Sequence, residues 1–193
     1  MREEIKIQVP EDIKDITLGQ MVEFNSLQDR ADTISTTGMY ERVISLFTGM
    51  KKQDVKKLDI QDYEYLGTAI EKALKNDAKF EHRFYLHNVE YGMIPNLNNI
   101  SAGEYVDLSS VGNELKDLHK VMAILFRPIV KSYSDDTYEI ISYDGKLKER
   151  GDIMKHCPMN IVNGAMGFFL TLSQELEMST LRYTEAHPQK SQQ

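Results

Sequence analysis

Apolar and polar residues change their period several times along the chain, and each change predicts an element. From Glu3 to Val9, apolar Ile5, Ile7 and Val9 alternate with polar Lys6 and Gln8. That two-residue period predicts a half-buried strand, closed by Pro10. Thr17 precedes Gln20 by three residues, the spacing of a capping box, and predicts a helix running to about Asp32. Residues 33–38 (TISTTG) read as a loop, Met39–Phe47 as a helix, and Gly49 as its C-terminal cap. Asp59 caps a further helix, whose Ile60, Tyr63, Leu66, Ile70 and Leu74 recur at helical spacing.

Residues 80–94 predict a β-hairpin turning at His87-Asn88, with Phe80, Phe84 and Leu86 before the turn and Val89, Tyr91, Met93 and Ile94 after it. A short helix is expected over Gly103–Leu108, and a stronger one over about Asn113–Phe126, ended by Arg127-Pro128. Thr137–Tyr143 reads as a strand, Asp144-Gly145 as a turn and Lys148–His156 as a short helix. Pro158 suits the first turn of a last helix reaching about Ala186. The sum is about six helices with a hairpin and a few short strands, an α+β and predominantly helical fold. We expect one globular domain over 1–186, divisible into halves at 1–78 and 79–186, and a flexible tail at 187–193.

One phrase occurs twice. Ile16 opens I-T-L-G-Q-M-V-E-F and Ile100 opens I-S-A-G-E-Y-V-D-L, each following a predicted strand and a proline. In both, a hydroxyl can accept a backbone N–H at the helix start, the Gln or Glu can reach back, and the isoleucine can act as a hydrophobic staple. The glycine would let the first turn approach a neighbour closely. We read the phrase as a repeated structural joint with no chemistry of its own.

Composition narrows the function classes. Asp plus Glu number 30 against 23 Lys plus Arg, a net charge of −7, which argues against a general nucleic-acid binder. The longest basic cluster, Lys51, Lys52, Lys56 and Lys57, is interrupted by Asp54. A single cysteine, Cys157, excludes an intrachain disulfide and suits a reducing cytoplasm. The N-terminal MREEIKIQVP lacks the apolar region of a secretory signal, and no run of 18 apolar residues predicts a membrane span. The ten methionines suit either a Met-rich core or an adaptable binding surface, and we favour the core.

The search for chemistry ends without a constellation. His82, His87, His119, His156 and His187 do not pair with one another or with cysteine at metal-ligand spacing, so no metal and no cofactor is expected. Cys157 sits at a helix start, where a thiol can be activated, but a buried inert thiol is the favoured expectation. His119 borders an apolar helix face, and Arg127 is expected to be partly buried against a carboxylate. The last helix offers the best surface. Ile161, Ala165, Phe168, Leu172 and Leu176 would form its core stripe, while Val162, Met166, Phe169 and Leu170 make it apolar on other sides and become the candidate protein-binding residues.

Several segments resemble a group of tailed-bacteriophage proteins: Glu11–Gln20 (EDIKDITLGQ), Arg83–Leu97 (RFYLHNVEYGMIPNL) with the ISAGEYVDL that follows it, Leu118–Ile129 (LHKVMAILFRPI) and Cys157–Leu170 (CPMNIVNGAMGFFL). Separately, Leu46–Asp62 (LFTGMKKQDVKKLDIQD) is similar to a stretch of phage tail-assembly chaperones, in which a short Leu-Thr-Gly segment precedes a Leu-Asp pair and a helix. The resemblance implies a non-enzymatic protein of the host cytoplasm. It would bind the tape-measure protein before or while tail-tube subunits polymerise, without nucleic acid or membrane as a partner and with self-association allowed. A virion structural component (a baseplate, connector or tail-completion subunit) is the alternative, and an enzyme with an unrecognised site is a third.

Overall fold

The computed structural model of the chain describes residues 7–75, 80–95, 100–111 and 114–167. The fold is α+β and predominantly helical. In chain order the described elements are α1 (Leu18–Gln28), α2 (Thr36–Thr48), α3 (Lys52–Val55), α4 (Ile60–Leu74), β1 (Arg83–Leu86), β2 (Val89–Met93), α5 (Ala102–Ser110), α6 (Leu118–Leu125), β3 (Phe126–Ser132), β4 (Tyr138–Ile140) and α7 (Leu147–Met154). An eighth helix, α8, starts at 159 and is described to 167.

The four strands form one antiparallel sheet in the order β1-β2-β3-β4. The hairpin forms where expected. His87 and Asn88 both adopt positive φ, 50° and 63°, the backbone of the tight turn that matches strand twist. Phe84 faces Tyr91 and Leu86 faces Val89 across it.

The largest departure from the sequence reading follows α6. The predicted helix stops at Leu125, and Phe126 opens a seven-residue strand. A Pro inside a strand flanked on both sides is unusual because it lacks a donor. Here Pro128 uses its carbonyl, which accepts the Ile141 N–H at 3.0 Å, and the register slips between Ile129 and Lys131. At the other end of the chain, residues 7–9, the described part of the predicted first strand, join no sheet.

Helix α6 is the centre of the core. Leu118, Val121, Met122, Ala123, Ile124 and Leu125 are all buried in it. It packs against α7, α1 and α5, and it runs directly into the sheet. Gly151 permits the α6–α7 approach, since a Cβ there would meet the His119 ring at 2.9 Å. Five methionines (Met50, Met93, Met122, Met154 and Met159) are buried, in keeping with the core expectation. The Phe24 and Phe47 rings, 5.5 Å apart, tie α1 to α2. Gly49 closes α2 in the left-handed conformation at φ 70°, and Asp59 caps α4 by accepting the Asp62 N–H at 2.9 Å. The expected inward stripe of α4 holds at Leu66 and Ile70 but fails at Ile60, which is 68% exposed in the first turn.

Both copies of the repeated phrase form capping boxes. Thr17 Oγ1 accepts the Gln20 N–H at 3.2 Å while Gln20 Oε1 accepts the Thr17 N–H at 2.9 Å. Ser101 Oγ accepts the Glu104 N–H at 3.2 Å while Glu104 Oε2 accepts the Ser101 N–H at 2.6 Å. Among the described residues only the second copy follows a strand, β2.

Each joint is also fastened to a distant element. In the first, the Leu18 and Gly19 N–H groups donate to Cys157 O at 2.9 Å and Lys155 O at 2.7 Å, and the Met159 N–H returns to Ile16 O at 2.8 Å. These bonds satisfy helix-start donors that would otherwise lack partners. Gly19 allows the approach, since a Cβ there would lie 3.1 Å from Lys155 O. Gly103 faces no such crowding, its nearest neighbour being the Tyr143 ring at 3.6 Å. In the second joint the fastening is ionic and runs through Glu104.

Candidate functional site

The described part of the last helix, 159–167, does not present the expected binding face as a surface. Val162 is fully buried in the core with Ile161 and Ala165, so it is unavailable to a partner. Met166 is half-buried and packs against the same core. Phe169 and Leu170 lie outside the described residues, as do Phe168, Leu172 and Leu176. Over 159–167 this helix is a core helix, because Gly164 brings it against the chain at Phe80: a Cβ at Gly164 would sit 2.7 Å from Phe80 Cα.

Cys157 is likewise enclosed. It is 0% exposed, and burial pushes its thiol up to about 12. At pH 8 only about one thiol in 10⁴ would be ionised, and the thiolate is the reactive form. We therefore expect a disulfide reagent such as DTNB to leave Cys157 unmodified in the native protein and to titrate one thiol after denaturation. Rapid native labelling would contradict this burial.

The buried charges are concentrated beneath α5. Arg127 and Glu104 are 6% and 5% exposed, and Arg127 Nη2 lies 2.6 Å from Glu104 Oε1. The alignment is poor for a hydrogen bond, so the attraction is mainly Coulombic. Arg127 Nε finds no acceptor among the described residues. The guanidinium also stacks 5.7 Å from the Tyr143 ring centroid, and the Tyr143 hydroxyl donates to Asp107. Burial lowers the Arg127 pKa, an effect that Glu104 opposes. Burial and the Asp107 hydrogen bond raise that of Tyr143. This cluster is enclosed and paired, and it serves as a fastening.

His119 is half-buried between α6 and α7, where desolvation and Lys155 lower its pKa. The His87 and His156 rings meet edge to face at 5.1 Å, a contact their sequence separation gave no means of finding. Among the described residues no group of three or more His, Cys, Asp or Glu side chains converges as a metal site. Nor is any described helix long and apolar enough to cross a membrane. A small hollow of about 350 Å³ lies beside Tyr91 and Pro128. Its Arg150 is engaged by Asp144 at 2.9 and 2.8 Å, which pulls the Asp144 carboxyl down to about 2.

A larger concave feature is a groove of about 800 Å³ between α2 and α4, floored where α3 leads into α4. Val55, Leu58 and Tyr63 give it an apolar base, and Tyr40 and Ile60 stand at its edges, 51% and 68% exposed. The Tyr40 and Tyr63 rings are 6.3 Å apart, tilted by 34°. Gly67 leaves the wall open beneath Tyr40, whose ring would be 3.5 Å from a Cβ at that position. The sequence marked none of this as a site, because the residues come from three helices and fit each helix's ordinary periodicity. The chain matches no family model, no curated protein and no solved structure.

Proposed function

We propose that this chain is a tail-assembly chaperone of a tailed phage, which binds the tape-measure protein during tail morphogenesis and performs no chemistry on it. One observation carries the reading. The stretch 46–62, similar to a segment of tail-assembly chaperones, is the stretch that turns α2 through α3 into α4, and its Val55, Leu58 and Ile60 line an open groove. Such a concave, apolar, helix-walled surface suits capture of an amphipathic segment of a client. The cytoplasm of the infected host is the matching location.

The test is co-expression with the tape-measure protein encoded by the same phage. The expected result is co-purification and a larger soluble fraction of the tape-measure protein. Failure both to retain it and to solubilise it would overturn the reading. Mass spectrometry of purified virions should find the chain absent, whereas recovery at stoichiometric copy number would make it a structural component instead.

A further inference from the structure

We infer that the α2–α4 groove binds an amphipathic helix bearing Lys or Arg beside its apolar stripe. The inference rests on the protein-binding reading above and names the surface and the chemistry of the partner.

The groove's walls decide the shape of the occupant. They are helices whose backbone groups are hydrogen-bonded internally, so they offer no edge to which a strand could add. A partner must be held by side chains. A helix supplies these at i, i+3, i+4 and i+7 along one face, which matches a trough running between two helices. The volume, about 800 Å³, accommodates several apolar side chains inserted from above.

The rim decides the charge. Glu41, Glu64 and Glu71 line the groove, against the single cation Lys56. Lys56 lies 3.6 Å from Glu41, and Lys75 pairs with Glu71 at 2.6 Å. Glu64 has no cation within ion-pair distance among the described residues. The lining is therefore net negative on a chain of charge −7, and a basic partner is favoured both in approach and in register. Inside, the Tyr63 hydroxyl is buried with no hydrogen-bond partner among the described residues. Burial and the neighbouring Glu41 raise its pKa, so the groove is underlain by a neutral phenol and not by a cation.

The experiment uses the whole chain and a fluorescent amphipathic peptide of leucine and lysine, about 18 residues long so that it forms a helix. A leucine–glutamate peptide of the same pattern is the control. The expected result is saturable binding of the basic peptide only, with NMR shift changes confined to α2, α3 and α4. Gly67→Met fills the groove while improving helix propensity, so the fold is retained. It should weaken binding at least about tenfold. The double change E64Q/E71Q should weaken it by about three- to tenfold and flatten its salt dependence. D135N/D136N removes equal charge in the β3–β4 turn and should leave affinity within about twofold.

Equal binding by Gly67→Met and the unaltered chain would overturn the inference, as would shift changes elsewhere or the absence of binding at millimolar peptide. So would a dimer of the unaltered chain that Gly67→Met abolishes, since a second copy would then be the occupant. The two readings fail separately. A Gly67→Met chain that still retains the tape-measure protein removes the groove and spares the chaperone. Peptide binding in the groove without tape-measure binding does the reverse.

Discussion

Replacing Glu104 by alanine is expected to lower the unfolding free energy by about 3–5 kcal/mol, because it strands Arg127 as an unpaired buried charge. The two side chains are 6% and 7% exposed, and the ion pair spans 2.6 Å. Alanine also removes the Oε2 acceptor of the Ser101 N–H. The sister joint shows how to separate these effects. Gln20 occupies the corresponding position of the first phrase and completes its capping box without a charge. Glu104→Gln should therefore keep the cap and still lose most of the stability, isolating the ionic contribution. Adding Arg127→Met to Glu104→Gln should recover at least half of the loss, since a buried pair exchanged for apolar packing is often close to neutral. Urea unfolding of the unaltered chain, Glu104→Gln, Arg127→Met and the double variant closes a cycle and gives the coupling energy directly. A loss below about 1 kcal/mol for Glu104→Ala would show that the pair is effectively solvated.

Phe126→Ala should cost a similar amount, about 3–5 kcal/mol, by a different mechanism. Phe126 is 1% exposed and begins β3 immediately after the central helix. Its ring meets that of Phe84 edge to face at 5.3 Å, and Phe84 in turn stacks on Tyr91 at 5.6 Å. Truncation leaves a cavity between α6 and the sheet that neither rigid element can close. Phe126→Leu keeps most of the volume and should cost markedly less. The midpoint of chemical denaturation checks both, with an unchanged slope showing that only stability has moved. Equal losses for leucine and alanine would mean that the aromatic pairing, and not the filled volume, holds this junction.

Local signals in the sequence were legible where the physics is local. Thr17 and Ser101 announce capping boxes through a partner three residues on, and His87-Asn88 announces a tight turn through residues tolerant of positive φ. The start of β3 was hidden because A-I-L-F-R-P-I-V is almost continuously apolar, and an unbroken apolar run does not distinguish a buried helix from a buried strand. Arg127 was expected to find a carboxylate, but nothing in the spacing could name Glu104, 23 positions away in chain order. The candidate site was less legible still. An apolar helix such as the one holding Val162 reads the same whether it is covered by its own chain or by a partner, and here the chain covers Ile161, Val162 and Ala165. Ile60 and Tyr40 fit ordinary helical stripes, yet they stand exposed beside a groove that exists only once three helices have been assembled.

The clasp between the start of α1 and the end of α7 bears on how the protein emerges from the ribosome. Leu18 donates to the Cys157 carbonyl, so the two partners are separated by about 140 residues of synthesis. At about 5–20 residues per second, the α1 start waits on the order of ten seconds for its partner to be made. During that interval Ile16 and Leu18, both 0% exposed in the finished fold, lack the backbone partners that 155–159 supplies. The start of α1 therefore completes its hydrogen bonds only once the segment around Pro158 has been translated.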